Sequence, residues 1–256
     1  MNPIIEKKFK KKKFNLAVAI PVLHNPEDIQ HLYYSFKKSK LNNTLLCFVD
    51  DSKTNEVILE IYKYFKKNFI IFKGKKRKNG RNFAVDNTFR WILKNIDTKL
   101  IAEFDSDNSY RFIDLKKGVK KIYNNFDMAI GSKYLKKSKI VNRTFIRNFF
   151  SLMPSLICRY LFKKTILDYT NSQRIYKISF YKKILKKKKT LDSPVENLNI
   201  VLFAISIGGK IAEYDSWYIG NQKSHWHSNF FSFLKQTYKT LKIISYYFLI
   251  NTTKKY

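Results

Sequence analysis

Residues 100–107 read LIAEFDSD, a short strand-like run from Leu100 to Phe104 that ends directly in Asp105-Ser106-Asp107. Three further strand-like runs precede it: FNLAVAIPVL at 14–23, TLLCFV at 44–49 and FIIF at 69–72. Segments with helical spacing of apolar residues lie between the runs, at 26–38, 56–65 and 83–93. Strands that alternate with helices pair in parallel through right-handed crossovers. The sequence therefore predicts an α/β fold, a mostly parallel open sheet with helices on both faces.

The remaining pattern predicts one domain with short extensions. DMAI at 127–130 predicts another strand and residues 210–214 a closing strand; between them lie an amphipathic segment at 142–163, a polar turn at 168–174 and helices near 179–186 and 195–207. A chain of 256 residues is long enough for about one such domain. We expect a basic tail at 1–13, a domain at 14–215 with halves 14–130 and 131–215, and an aromatic, amphipathic tail at 216–256.

The chain is strongly basic, since 51 Lys and Arg against 19 Asp and Glu give a formal charge of +32. This charge favours anionic partners such as phosphorylated ligands, nucleic acid or an acidic membrane surface. The codon bias of a low-GC genome is a competing explanation, because Lys, Ile, Asn, Phe and Tyr are abundant together. A basic nucleic-acid-binding protein is the most remote alternative: no known module fits, and the acidic pairs described below would repel phosphate. We therefore expect no nucleic acid partner.

The cysteines and the apolar segments indicate the cellular compartment of the protein. Cys47 and Cys158 lie in apolar runs without a partner at metal-ligand spacing, so both are expected to be buried thiols of a reducing compartment. No window reaches the roughly 18–20 apolar residues of a membrane span, and the N-terminus does not indicate secretion. The segments 149–162 and 241–250 fit a bilayer surface instead. We expect a cytoplasmic protein, peripheral at the inner face of the membrane.

Asp105 and Asp107 are the sharpest candidates for chemistry. Two carboxylates at i and i+2 after a buried strand can reach one hard cation, whose other ligands are water and diphosphate oxygens. An Asp-x-Asp in a loop is also common as a helix cap or a solvated turn. The context favours function, because ligands of open α/β sheets bind beyond the carboxyl ends of the strands. The pair Asp50-Asp51 follows the second strand-like run at that same edge.

Two further features at this edge fit a nucleotide. Asp50 and Asp51 are candidates for hydrogen bonds to a nucleobase and ribose, although Asp in this position often caps the helix that follows. The basic loop from Gly74 to Arg81 fits phosphates by its charge and main-chain amides. A solvated lysine loop is the alternative, and the loop has no Walker A pattern.

Seven short motifs follow one another along about residues 14–230. They are Ala17-Val18-Ala19-Ile20-Pro21 through Ile29, Val49-Asp50-Asp51-Ser52, Gly80 with Ala84, Asp105-x-Asp107, Gly131-Ser132-Lys133-Tyr134, Arg143 with Arg147, and Asp168-Tyr169-Thr170-Asn171. In this order they resemble the family 2 glycosyltransferases, and within them the dolichyl-phosphate mannosyltransferase-like branch of polyprenyl-phosphate sugar synthases. The resemblance implies a type A glycosyltransferase fold, a nucleotide-sugar donor and a Mg²⁺ or Mn²⁺ ion.

The resemblance also implies roles for single residues. The positions that bind the nucleotide-sugar are Pro21, Asp50, Asp51, Gly80 and Asp105. The positions that bind the metal are Asp105, Asp107 and Ser109, although the family usually has Gln at the third. The catalytic positions are Asp105 and Asp107 with the basic residues Lys133, Arg143 and Arg147, which face the acceptor phosphate. Lys133 replaces the usual Arg, which keeps the charge and loses the bidentate fork; a solvated cation is the alternative for each basic residue.

The acceptor side departs furthest from the family pattern. His24-Asn25 stands where Asn-Glu is usual, Asn171-Ser172-Gln173 replaces a small-Gly-aromatic step, and residues 222–226 only loosely match a late motif. The acceptor-side candidates are Asp168, Glu196, Lys223 and His225. A structural role for Glu196 and a stacking role for His225 are the alternatives.

A lipid phosphate is the acceptor that the resemblance implies. Its oxygen is ionised at neutral pH, so attack needs positioning and charge stabilisation but no general base. We expect an inverting, metal-dependent hexosyltransferase that moves a sugar from a GDP- or UDP-sugar to polyprenyl or dolichyl phosphate. The alternative is a saccharide acceptor in cell-envelope or surface polysaccharide synthesis, whose hydroxyl needs a base such as Glu196 or Asp168. A non-catalytic family member is a further alternative.

Overall fold

A computed structural model describes residues 12–22, 25–52, 54–74, 80–187, 196–220 and 230–253. The strands in these ranges are β1 Lys13–Phe14, β2 Leu16–Val22, β3 Thr44–Asp50, β4 Phe69–Lys73, β5 Asp97–Thr98, β6 Leu100–Glu103, β7 Met128–Ser132, β8 Lys139–Val141, β9 Arg174–Lys177, β10 Ile211–Asp215 and β11 Trp217–Ile219. The helices are α1 Pro26–Ser39, α2 Glu56–Tyr64, α3 Gly80–Asn95, α4 Phe112–Tyr123, α5 Phe145–Phe162, α6 Ile178–Lys187, α7 Glu196–Ser206 and α8 Phe230–Thr253.

Seven strands form one twisted sheet in the order β10-β7-β9-β6-β2-β3-β4. All neighbours are parallel except β9, which runs antiparallel to both β6 and β7. Two small parallel pairs, β1 with β5 and β8 with β11, flank the main sheet. The predicted α/β fold with a mostly parallel sheet is confirmed.

The sheet separates two apolar cores because side chains alternate across each strand. In β2, Leu16, Val18 and Ile20 face a core that α1, α2 and α4 close. Ala17 and Ala19 face the opposite core, which α3, α5, α6, α7 and α8 close. The helices therefore cover both faces of the sheet, as the alternating pattern predicts.

Strand β9 and helix α4 are among the elements that the sequence pattern does not predict. The polar turn expected at 168–174 ends in β9, and Arg174 is buried in that strand. Helix α4 was not predicted, although its buried Phe112, Leu115 and Ile122 recur at helical spacing. The lysines between these apolar residues lie on the outer face of α4, and they make the apolar stripe hard to recognise in the sequence.

Helix α5 supplies the walls of the site described below. Thr144 caps its N-terminus by accepting a hydrogen bond from the main-chain N of Arg147 at 3.4 Å. The helix continues through Pro154 and lies within the amphipathic segment expected at 142–163. Helix α8 packs on α5 and α7 and so joins the C-terminal segment to the domain. Among the described residues, no helix combines the length and apolar content needed to cross a bilayer.

Strand register brings the acidic motifs to one edge of the sheet. Val22 pairs with Asp50 at the carboxyl ends of β2 and β3, and Ala19 pairs with Glu103 in β6. Ser106 Oγ then donates to the main-chain oxygen of Pro21 at 2.9 Å, which holds the turn after β6 against the end of β2. Asp105 and Asp107 consequently lie at the edge where parallel α/β sheets bind ligands.

Candidate functional site

Asp105 lies at the end of β6 with both carboxylate oxygens engaged. Oδ1 accepts from Arg81 Nε at 2.5 Å, and Oδ2 accepts from Ser172 Oγ at 2.5 Å. Arg81 stands in the first turn of α3, and Ser172 in the segment before β9. In the sequence, Arg81 belongs to a basic loop and Ser172 to a departure from the family pattern, so neither contact with Asp105 was predicted. No local signal links either residue to Asp105.

Glu103 anchors this arrangement from inside the sheet. Its Oε1 accepts from Arg174 Nε at 2.6 Å and from the Tyr176 hydroxyl at 3.0 Å, while its Oε2 accepts from Arg81 Nη1 at 2.9 Å. Burial acts to raise the pKa of Glu103, but the charges of Arg174 and Arg81 outweigh it and hold the pKa below its usual value. The buried carboxylate therefore stays charged and fixes Arg81 beside Asp105.

Asp107 is the carboxylate of the motif that has no ion pair among the described residues. Its Oδ1 accepts from the main-chain N of Ser109 at 3.0 Å, which ties the third predicted metal position to the turn. Burial raises the pKa of Asp107, and the nearby charge of Asp105 raises it further. A bound cation would relieve both effects, because it stabilises the charged form of each carboxylate.

The donor set at this edge fits a hard divalent cation with a shared ligand shell. Asp105, Asp107 and Ser109 line one cavity. Among the described residues, no group of three His, Cys, Asp or Glu side chains is arranged to hold a metal ion without other ligands. Carboxylate oxygens suit Mg²⁺ or Mn²⁺, and both ions commonly keep water and phosphate oxygens as further ligands. The residues therefore fit a cation that arrives with, or is completed by, a diphosphate.

Asp50 and Asp51 take different positions at the end of β3. Asp50 is fully buried and accepts from Lys73 Nζ at 2.6 Å, from the main-chain N of Ser52 at 2.9 Å and from the Ser52 hydroxyl. Asp50 therefore fixes the turn that follows β3. Asp51 is half-buried, and burial raises its pKa, with a further contribution from Asp50. Its Oδ1 lies where a Cβ on Gly74 would stand, so any larger residue at position 74 would require Asp51 to move.

The other predicted nucleotide-binding residues flank this turn. Pro21 is half-buried in β2, beside Val49 in the strand register. Gly80 begins α3 with a φ of +73°, a left-handed conformation that favours glycine. Residues 75–79 of the basic loop and His24 lie outside the described residues.

Lys133 and Asp168 form a buried ion pair on the opposite side of the motif, with 2.9 Å between Lys133 Nζ and Asp168 Oδ2. Asp168 also accepts from the main-chain N of Lys133 at 3.1 Å and from the main-chain N and the hydroxyl of Thr170, both at 3.2 Å. Burial lowers the pKa of Lys133, although Asp168 acts in the opposite direction. Asp168 is thus enclosed, and it holds Lys133 rather than facing an acceptor.

Arg143 and Arg147 line the same cavity as Lys133. The Arg143 guanidinium lies over the ring of Tyr218, 4.9 Å from its centre. Its Nε is buried and has no hydrogen-bond partner in the part of the chain that the structure describes. Buried donors are usually satisfied, so this atom indicates a missing acceptor, such as an anionic ligand.

The cavity that joins these groups has a volume of about 540 Å³. Asp105 and Asp107 line it at the sheet edge and are its only acidic residues in the described ranges. Its apolar wall consists of Phe149, Phe150, Met153, Pro154 and Ile157 from α5, Leu198 from α7 and Leu241 from α8. One continuous cavity therefore combines an acidic end, a basic middle and an apolar arm.

Of the remaining acceptor-side candidates, the structure describes Glu196, which does not line this cavity. Glu196 is buried at the start of α7 and accepts from Asn199 Nδ2 at 3.4 Å, while the adjacent Asn197 and Leu198 line the cavity. Lys223 and His225 lie outside the described residues.

Comparison with known proteins places this site in context. The family model described as Glycosyl transferase family 2 matches residues 17–185. Among solved structures, glucosyl-3-phosphoglycerate synthase from Mycobacterium tuberculosis, in complex with Mn²⁺, UDP and glucosyl-3-phosphoglycerate, matches at a TM-score of 0.63 and 11% identity, over 94% of this chain and 82% of that chain.

Two other similar structures are longer proteins. TarS residues 1–349 of S. aureus match at a TM-score of 0.58 and 16% identity, over 91% of this chain and 65% of that chain. The mannosyltransferase PcManGT from Pyrobaculum calidifontis, in complex with GDP-Man and Mn²⁺, matches at a TM-score of 0.58 and 10% identity. That match covers 84% of this chain and 60% of the mannosyltransferase. This chain thus spans somewhat less than two thirds of the chains in these two structures, and identities this low show a shared fold alone.

Proposed function

Because this chain belongs to glycosyl transferase family 2, we propose that it transfers a sugar from a nucleotide-sugar to a lipid phosphate, with inversion at the anomeric carbon. One observation carries the proposal: the cavity has an acidic end, a basic middle with an unsatisfied buried guanidinium nitrogen, and an apolar arm. A lipid phosphate combines an anionic head with an apolar chain. It is therefore complementary to the basic and apolar parts of this cavity together.

The donor is assigned to the acidic end. Asp51, Pro21 and Gly80 would hold the nucleoside of a GDP- or UDP-sugar at the edge of the sheet. Asp105 and Asp107, with Ser109, would hold Mg²⁺ or Mn²⁺, which neutralises the charge of the leaving diphosphate when it is bound. The similar structures with Mn²⁺ and either GDP-Man or UDP support a donor of this class.

The acceptor phosphate is assigned to Lys133, Arg143 and Arg147. Lys133 is held in place by Asp168 at 2.9 Å, and the free Nε of Arg143 gives a donor for one phosphate oxygen. A phosphate oxygen attacks without a general base, so positioning and charge stabilisation suffice. The saccharide alternative is less well supported, because Asp168 is enclosed by its ion pair and Glu196 does not line the cavity.

The test is transfer of labelled sugar from a panel of GDP- and UDP-sugars to polyprenyl phosphate in detergent, with Mn²⁺ or Mg²⁺. An Arg143→Gln variant is expected to lose about 10- to 100-fold in kcat/KM for the lipid phosphate, because it lacks a charge-assisted hydrogen bond to the acceptor. Arg159→Gln, at an exposed position of α5 outside the cavity lining, is the matched control and should keep wild-type transfer. Transfer to saccharides but not to polyprenyl phosphate would refute the lipid acceptor.

We also propose that α5 and α8 rest on an anionic membrane surface while the apolar arm receives the prenyl chain. The exposed apolar residues Phe145, Phe149, Leu156 and Tyr160 recur at helical spacing and form one stripe on α5. Phe145 and Tyr160 are 83% and 84% exposed. On α8, Tyr238 and Leu249 are also more than half exposed. Exposed apolar stripes of this kind bind bilayer surfaces, and the net positive charge favours anionic headgroups.

Wild-type protein is expected to co-sediment with vesicles that contain anionic lipid, and a Phe145→Ser/Tyr160→Ser variant should lose most of this binding. The loss follows from the apolar area that no longer enters the bilayer. Tyr34→Ser/Leu59→Ser, which removes two exposed apolar side chains from α1 and α2, should bind like wild type. Equal binding by all three proteins would contradict a membrane role for α5.

A further inference from the structure

Arg81 lies between two carboxylates of the site, and the proposed function does not use it. Its Nε donates to Asp105 at 2.5 Å, its Nη1 donates to Glu103 at 2.9 Å, and its side chain is 27% exposed. Glu103 is buried and also paired with Arg174 at 2.6 Å. Glu103 therefore fixes the Arg81 guanidinium, and the guanidinium neutralises the charge of Asp105.

These contacts determine how much negative charge the acidic end presents to a cation. Glu103 is balanced by Arg174, and Asp105 is balanced by Arg81, whereas Asp107 has no ion pair within 4 Å among the described residues. Ser172 also occupies the second oxygen of Asp105. Without a ligand, a divalent ion would meet about one uncompensated carboxylate and a nearby fixed cation, which repels it.

We propose that Arg81 is the resident counter-ion of Asp105 and makes divalent cation binding depend on the diphosphate of the donor. The inference rests on the proposed function, from which it takes the identity of the donor. The diphosphate supplies negative charge in place of the Asp105 charge that Arg81 neutralises. The cation therefore binds tightly only together with the nucleotide. By linkage, the cation raises the affinity for the nucleotide by the same factor. Arg81 thus acts through Asp105 as a positioning residue.

The experiment measures Mn²⁺ binding by electron paramagnetic resonance, without nucleotide and with saturating UDP or GDP. Wild-type protein should bind Mn²⁺ weakly alone and at least about tenfold more tightly with the nucleotide that it recognises. Arg81→Met should bind nucleotide-free Mn²⁺ at least about tenfold more tightly than wild type, because the repelling charge is gone and Asp105 is released. The enhancement by nucleotide should shrink correspondingly.

Two variants keep the test specific. Arg81→Gln removes the charge but keeps a side-chain donor, and it serves if Arg81→Met does not fold; the same gain is expected. Arg90→Met removes an arginine from the same helix, where Arg90 pairs with Asp86 at 2.9 Å, and it should bind Mn²⁺ like wild type.

The outcomes separate this inference from the proposed function. Nucleotide-free Mn²⁺ affinity that is unchanged or weaker in the folded Arg81 variants would overturn the role of Arg81 and leave the metal-dependent transfer intact. Failure of wild-type protein to bind Mn²⁺ even with UDP or GDP would overturn the metal-dependent donor site itself.

Discussion

An Asp107→Ala variant is expected to lose at least about 10³-fold of its sugar transfer rate. Asp107 is the carboxylate of the motif that is not neutralised by a neighbouring arginine, so a divalent ion depends on it most. Without that ion, the charge that develops on the leaving diphosphate is left uncompensated in a partly buried site. The fold should persist, because the Asp107 side chain accepts its hydrogen bond from Ser109, within its own turn.

The measurement is the initial rate of labelled sugar transfer at saturating Mn²⁺, together with the thermal midpoint of unfolding. Asp97→Ala, which removes an exposed aspartate from β5, is the control and should match wild type in both. A variant at Asp107 with undiminished transfer would favour a non-catalytic role for the motif and would contradict the assignment of the metal.

An Arg174→Met variant is expected to destabilise the protein by about 3–5 kcal/mol, because breaking this buried ion pair leaves Glu103 with Arg81 alone, which Asp105 also engages. Arg174 Nε lies 2.6 Å from Glu103, and both side chains are 3% exposed. Arg174 also donates to Asn197 at 3.0 Å and 2.8 Å, so the variant would also disconnect β9 from α7.

Denaturant unfolding at neutral pH gives the free energy of unfolding for this comparison. Lys63→Met is the control: Lys63 forms its ion pair with Glu60 at the surface, so this variant should unfold at nearly the same denaturant concentration as wild type. A double variant, Arg174→Met with Glu103→Gln, should recover part of the loss because it removes the buried charge. A loss below about 1 kcal/mol for Arg174→Met would show that water or Arg81 compensates Glu103.

The predicted elements that agree with the structure are those with a strong local pattern. Helix α1 and strands β3 and β4 match the expected ranges to within a residue, since apolar periodicity, Pro26 at the start of the helix, and Asp51 and Gly74 after the strands are local properties. Strand β9 was missed because four residues with a buried arginine carry no alternating pattern. Its antiparallel place between β6 and β7 depends on strands far away in the chain.

The candidate site, like the fold, could be predicted from the sequence only in part. Its acidic motif could be predicted, because Asp105 and Asp107 follow a buried strand and the order of the motifs resembles one family. The partners of that motif could not: Arg81 and Ser172 reach Asp105 from distant segments, and Lys133 encloses the Asp168 that the sequence offered as a base.

The sequence by itself therefore determined the alternation of strands and helices, the edge at which the carboxylates lie and the family. Only the tertiary structure decided which carboxylates are neutralised, which is enclosed, and how α5, α7 and α8 form one cavity with the acidic motif. The physical reason is that periodicity and capping act over a few neighbouring residues. Charge compensation and cavity shape arise instead from contacts between residues far apart in the chain.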